Sequence, residues 1–329
     1  MRSKSTMHRN LIGIRVLVTA GLLAWILSGC GGAPAEKEHI VEPILEIKHS
    51  NFSGINDIKI DREGRIVITD RVKEKIYVFD AGGNLVLEFG EVGSAPGQFN
   101  RPFGVAINSK NEIVVTDRKN TRVQVFDTKG ELVDYFGSRG ISKNQFIDPQ
   151  GIAVDAEDNL YVLDADECVI KVFDPEFQYL RSFGKKGSGP GEFNKPKTLI
   201  MDAEGNLWVA DQGNFRVQKL DTDGKWLLSI GSRGHQPGMF FAEIEGIAVD
   251  PERRIFAVDE GAGKIQIFDA AGMFLFAFGI QGGAAGMFSS PDGAVIDARS
   301  NRLYVVDEGN HRIQVFDLAD VWRAKASGL

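Results

Sequence analysis

Six positions spaced 47 or 48 residues apart carry side chains of different chemistry: Asn56, Phe103, Gln150, Lys197, Glu245 and Asp292. The position after each is glycine in four copies, at Gly104, Gly151, Gly246 and Gly293. In the other two it is Asp57 and Thr198. A repeated scaffold needs no such variety, whereas recognition of an asymmetric ligand does. Gathered on one arc, the carboxylates of Asp57, Glu245 and Asp292 with the amide of Asn56 would suit a hard cation such as Ca²⁺ through oxygen ligands. Lys197 would suit an anionic ligand group or neutralise one of the acids. No general base with an orienting partner is recognisable, so no catalytic residue is assigned. The chain has no nucleophile elbow, Walker loop, Rossmann fingerprint or kinase motif. GSGPG at Gly187 to Gly191 resembles a phosphate loop only in its glycines, since no Lys-Ser/Thr follows.

The elements that must position these residues are short strands. Asn301 to Asp317, NRLYVVDEGNHRIQVFD, reads as two strands around a polar turn, with Leu303, Val305, Ile313 and Val315 at period two. Versions of this unit recur six times. The turn aspartates are Asp70, Asp117, Asp164, Asp211, Asp259 and Asp307, and a second aspartate follows each by ten residues. A period near 47 allows stacked helical pairs or β-propeller blades. The segments are β-branched, alternating and separated by turn residues, which selects strands. About four strand-like runs per repeat predict an all-β, six-bladed β-propeller of four-stranded antiparallel blades. Fourth strands end at Gly90, Gly137, Gly184, Gly231 and Gly279, which makes five for six blades. Pro43 to His49, PILEIKH, is expected to supply the sixth by pairing with Ile313 to Asp317, closing the ring and covering its edges.

The repeat resembles the NHL family over about residues 43–317. Asn310-His311-Arg312 stands where that family has Asn-His-Leu, whereas the third repeat, DADECVIKVFD, carries none of it. The resemblance implies a ring whose inner strands start at the channel mouth on the long-loop face. That would place Asn56, Asp57, Phe103, Gln150, Lys197, Thr198, Glu245 and Asp292 there as a ligand-binding set. Peptidyl-hydroxyglycine lyases share the fold and use a histidine-ligated metal, but three histidines at equivalent inner-strand starts are not found here. Gluconolactonase-type propellers hold a metal in the channel, which makes Asp57, Glu245 and Asp292 the candidate metal set.

Charge and the N-terminus narrow the function. The formal net charge is −7, and residues 1–29 hold Arg2, Lys4, Arg9 and Arg15 without an acid, so the remainder carries −11. That acidity opposes nucleic acid, which needs cations to neutralise phosphate. A basic region followed by the apolar run Val16 to Leu27 reads as a signal peptide over residues 1–29. Leu27-Ser28-Gly29-Cys30 resembles a bacterial lipobox, so Cys30 is the expected lipidation site, and the membrane is reached through that lipid. Gly31 after it favours the outer membrane in a double-membraned bacterium, facing periplasm or exterior. Residues 30–42 read as a flexible tether and 318–329 as a C-terminal tail. With Cys30 acylated, Cys168 has no disulfide partner and is expected to be a buried apolar residue.

Two further columns read as structure. Phe52, Phe99, Phe146, Phe193, Phe240 and Phe288 are expected to plug the gaps between blades. Lys75, Arg122, Arg216, Lys264 and Arg312, with Val169 in the third repeat, are expected to pair with the turn aspartates. One residue is inserted between Phe240 and Asp250 and one between Asp297 and Leu303. The functional expectation is a monomeric, lipid-anchored propeller of the cell envelope that binds a protein, peptide or glycan, needs no cofactor and performs no chemistry. The alternative is a metal-dependent hydrolase or lactonase with Ca²⁺ in the channel.

Overall fold

The computed structural model describes residues 39–327. The signal segment, Cys30 and residues 31–38 lie outside the described residues. Six four-stranded antiparallel sheets follow one another along the chain. Five are built from consecutive strands, starting with Ile55–Ile60, Ile66–Asp70, Lys75–Phe79 and Leu85–Phe89 in blade 1. Blade 6 takes three strands from the C-terminal end of the ring and its fourth from the N-terminus. Leu45–Lys48 runs antiparallel to Arg312–Asp317, with Leu45 opposite Val315 and Ile47 opposite Ile313. The ring is therefore closed by the N-terminal strand, as the missing fourth strand required.

The apolar core is divided into wedges between blades. One wedge joins Val67, Ile76 and Val78 of blade 1 to Val105, Ile113 and Val115 of blade 2, with Phe99 at its end. Equivalent clusters fill the other five junctions. Phe99, Phe146, Phe193, Phe240 and Phe288 are fully buried, and Phe52 nearly so. Each of the five pairs through its backbone with the start of its own loop, as Val92 does with Phe99. The phenylalanine column is thus an inter-blade plug, with burial worth about 1.5–3 kcal/mol per ring.

Both ends of the ring are more ordered than composition implied. The tether reading ran to Glu42, yet Val41 is buried in the wedge between blades 5 and 6. Its neighbour His39 meets Phe276 edge-on and accepts the Gly279 amide through its carbonyl. Leu318–Ser327, read as a tail, is an α-helix. Leu318 and Val321 are buried on the same wedge, and Trp322 stacks under Arg254 and against Phe276. An apolar wedge left open at the closure point gives both segments something to cover. No helix among the described residues is long and apolar enough to cross a membrane.

Every inner strand carries a bulge. In blade 2 Pro102 faces Asp117 and Val105 faces Val115, so Phe103 and Gly104 fall outside the ladder. The same break occurs in the other five inner strands. A bulge bends the strand and re-aims its side chains, and these bulges hold all eight residues singled out for ligand binding.

Candidate functional site at the channel mouth

The loops bearing the site are tied down by a repeated polar knot. Asp211 accepts hydrogen bonds from the Asn194 amide (2.7 Å), Asn214 (2.9 Å), Arg216 (2.8 Å) and Gln218 (3.1 Å). Arg216 also donates to the loop carbonyls of Gly189 and Glu192. Asp117 and Asp307 build the same knot with Asn120, Arg122 and Gln124, and with Asn310, Arg312 and Gln314. The basic column is thus occupied in structural ion pairs in blades 2, 4 and 6. In blade 3, where Val169 removes the cation, Lys171 comes from two residues further on. Its ammonium reaches the Gln145 carbonyl and Glu167, both at 2.5 Å. Cys168 is buried, its thiol directed at the Ala165 carbonyl, and burial pushes its pKa up. The knot is a threefold pattern, D-x-x-N-x-R-x-Q, legible in the sequence at twice the 47-residue period.

Blade 5 breaks it. The residue inserted after Phe240 displaces the loop amide that would cap Asp259. Gln266 donates to Oδ2 (2.8 Å), whereas Oδ1 is buried without a hydrogen-bond partner. Burial accordingly pushes the Asp259 carboxyl up.

The glycine column follows from close approach of adjacent inner strands. A Cβ on Gly104 would lie 2.4 Å from the Gln150 carbonyl oxygen, and one on Gly293 2.5 Å from that of Asn56. Asp57 and Thr198 stand at the 1–2 and 4–5 junctions, opposite each other in the ring. There the side chains bridge the strands: Asp57 Oδ2 accepts the Val105 amide at 2.9 Å, and the Thr198 hydroxyl donates to the Glu245 carbonyl.

The mouth has two layers. Asn56, Phe103, Gln150, Glu245 and Asp292 form the lower one and are all buried. Above them lie the residues that follow the turn aspartates, among them Arg71, Arg118, Gln212, Glu260 and Glu308, which the sequence reading did not single out. Arg71 reaches Asn56 (2.8 Å), Asp292 (3.3 Å) and Glu308 (2.7 Å). Arg118 grips Asp148 with a two-pronged contact at 2.6 and 2.8 Å, and Gln150 donates to the same carboxylate. Burial alone would raise Asp148, but the Arg118 fork holds it below the usual carboxylate range. Lys197 pairs with Glu245 and lies over the Phe103 ring. Among the inner-strand starts, between Asn56, Asp57, Phe103, Lys197, Thr198 and Asp292, lies a gap of about 10 Å³, room for one water at most.

The expected metal set is not gathered around one point. Asp57 is engaged by the Ile58 amide (2.8 Å), Lys59 (2.7 Å) and Val105, and Asp292 by Arg71. Only Glu245 of the three joins a carboxylate group, with Glu243 and Glu260, whose oxygens lie within 4.8 Å of one another. The inserted residue and the position after Asp259 bring those two in. Burial pushes Glu260 up, Lys197 opposes this, and Glu243 adds to it. His39, His49, His235 and His311 line neither end of the channel.

Asp292 is the most perturbed acid of the mouth. Burial pushes it up to about 6, against the pull of Lys197 and Arg71. A raised carboxyl pKa stabilises the fold below its unfolded value and loses that contribution as pH rises through the folded one. Asp292→Asn is therefore expected to flatten the loss of stability between about pH 4 and 7 by on the order of 2 kcal/mol. Urea midpoints across that range check it; equal slopes in both proteins would contradict it.

The NHL repeat family matches residues 99–126 and 288–316, the stretches holding the knots of blades 2 and 6. The chain is a six-bladed β-propeller that carries NHL repeats over these two stretches. The asparagine of the family signature is structural in this propeller: Asn120, Asn214 and Asn310 each join the turn aspartate to a loop carbonyl, of Gly93, Gly187 and Gly282. The propeller is similar to solved structures of virginiamycin B lyase from Staphylococcus aureus (15% identity, 83% of this chain and 98% of that one, TM-score 0.61). It is similar to a streptogramin B lyase (14%, 82% and 96%, 0.59) and to a structural-genomics protein of unknown function from Bacteroides thetaiotaomicron (16%, 84% and 73%, 0.60). At such identities the likeness is one of fold. No curated protein matches the propeller in sequence.

Proposed function

We propose that the propeller is a lipid-anchored binding module of the bacterial cell envelope that recognises a protein, peptide or glycan across its loop face. One observation carries this reading. The mouth presents a different side chain from each blade, yet its gap of about 10 Å³ admits no ligand. A partner then lies across the upper layer, where Arg71 pairs with Glu308, Arg118 with Asp148, and Glu243 and Glu260 add two acids. A flat plate of mixed charge suits a macromolecule, whose docking is steered by complementary charge. The lipobox at Cys30 supports the anchoring half.

The full chain immobilised against detergent-solubilised envelope is expected to retain a discrete partner. Arg71→Ala with Arg118→Ala should cut that retention at least tenfold, and Cys30→Ser should move the protein from the membrane fraction to the soluble one. A variant that captures the same partner equally well would defeat the binding reading; a Cys30→Ser protein that still sediments with membranes would defeat the anchor. A second reading, a metal-dependent hydrolase, rests on the grouping of Glu243, Glu245 and Glu260 within 4.8 Å. A calcium-dependent rise in melting temperature that Glu243→Ala abolishes would favour it.

A further inference from the structure

The far end of the channel differs from the mouth. The later parts of the six inner strands line a vestibule of about 260 Å³. One column of that lining is Lys59, Ala106, Ala153, Ile200, Ala248 and Val295, with one residue from each blade. Five are apolar and one is a cation. Lys59 stands on the same strand as Asp57, and the two form a 2.7 Å ion pair with side chains only 18% and 13% exposed. Asp57 lines the mouth gap and Lys59 the vestibule, so the pair sits at the waist between them.

Stability does not call for this pair. Desolvating two charges offsets most of their attraction, and apolar replacements at such sites are often neutral or stabilising. The sister blades supply that replacement: Gly104 with Ala106, Gly151 with Ala153 and Gly246 with Ala248 occupy the same two positions. Asp57 is fully used, accepting the amides of Ile58 and Val105 and one proton of Lys59. The ammonium has three protons. One goes to Asp57 and one to the Ile58 carbonyl at 3.2 Å, which leaves the third for the vestibule. Asp57 is thus a positioning residue for a charged donor in a vestibule whose one acid, Asp202, is already engaged by Trp208 (2.9 Å) and Lys219 (3.2 Å).

We propose that this vestibule binds a small carboxylic acid with a hydrocarbon body. Its carboxylate meets the Lys59 ammonium and its chain lies against Ala106, Ala153, Ile200, Ala248 and Val295. A charge-assisted hydrogen bond is stronger than a neutral one, and more so where water is thin. The volume is at the small end for ligand pockets, which limits the ligand to a short chain. The site lies at the opposite end of the channel from the charged plate and does not depend on it.

Octanoate, below its micelle threshold, is the probe, titrated into the full chain by calorimetry with octanol as the neutral control. Saturable binding of one octanoate per chain is expected, with octanol at least tenfold weaker. Asp57→Gly with Lys59→Ala restores the residue pattern of blade 2 but takes the acceptor from the Ile58 and Val105 amides; it should stay folded, with a somewhat lower melt, and lose at least tenfold in octanoate affinity. Ala248→Leu keeps the ion pair but fills the chamber, and should weaken octanoate and octanol alike. The proposal is overturned by non-saturable octanoate uptake in wild type, by equal affinity for octanol, or by unchanged binding in either variant.

Discussion

Deleting residues 43–49 is expected to lower the melting temperature by roughly 10–20 °C. The strand Leu45–Lys48 supplies the whole outer ladder of blade 6. Its Ile47 is 2% exposed in the wedge shared by blades 6 and 1, beside Phe52, Tyr77, Tyr304 and Ile313. Losing Ile47 and Leu45, and baring Ile313 and Val315, removes apolar burial worth roughly 4–8 kcal/mol. Arg312 would also lose Glu46, which it holds at 2.6 Å. A loss of that size is a large part of a typical domain's stability, and each kcal/mol is worth about 2–4 °C in a chain of this size. The bared strand Arg312–Asp317 would present an unpaired edge, so self-association should accompany the drop. A peptide of sequence PILEIKH added in excess should restore part of the loss by strand addition. A melt within 3 °C of wild type would show that closure does not depend on this strand.

Asp307→Ala should cost about 3–5 kcal/mol, the penalty for breaking a buried ion pair from one side. The carboxylate is fully buried and accepts from the Ser289 amide (2.7 Å), Asn310 (2.9 Å), Arg312 (2.7 Å) and Gln314 (3.0 Å). Alanine would leave the Arg312 guanidinium, 4% exposed, short of its main counter-charge and the Ser289 amide without an acceptor. The loop carrying Phe288 would lose its tie to the blade. Asp307→Ala with Arg312→Met removes the stranded cation as well and should recover at least a third of the loss. Chemical denaturation of both variants measures this. A single variant within 1 kcal/mol of wild type, or a double variant worse than the single, would mean that the knot is not what holds the loop.

Much of this architecture can be read from spacing. Six aspartates at a period of 47 or 48 require six equivalent units, and period-two alternation makes those units strands. The count of five terminal glycines against six blades points to a borrowed strand, because a three-stranded blade would leave the apolar strand Arg312–Asp317 as an unpaired outer edge. The phenylalanine column, repeated in every blade, and the Asp–Arg pairing, repeated in blades 2, 4 and 6, are legible for the same reason: a recurring contact leaves its mark in each repeat that makes it. Asp57 and Thr198 are also visible as departures from a glycine column, and each reaches from its own inner strand to the backbone of the next.

What the sequence leaves open depends on which groups meet across blades. Asp57, Glu245 and Asp292 read as one ligand set, since one-dimensional spacing cannot show that Lys59, Lys197 and Arg71 each reach one of them first. Arg71 belongs to blade 1 and its partners Asp292 and Glu308 to blade 6, more than 200 positions away. The bulge is equally hidden, because it is an extra residue in a pairing and not in a repeat. The vestibule, with the Lys59 ammonium beside a column of apolar side chains, appears only when six inner strands are set side by side. Local pattern determines the blades, whereas the chemistry of both ends of the channel is decided by ring closure, which brings together groups that share no stretch of chain.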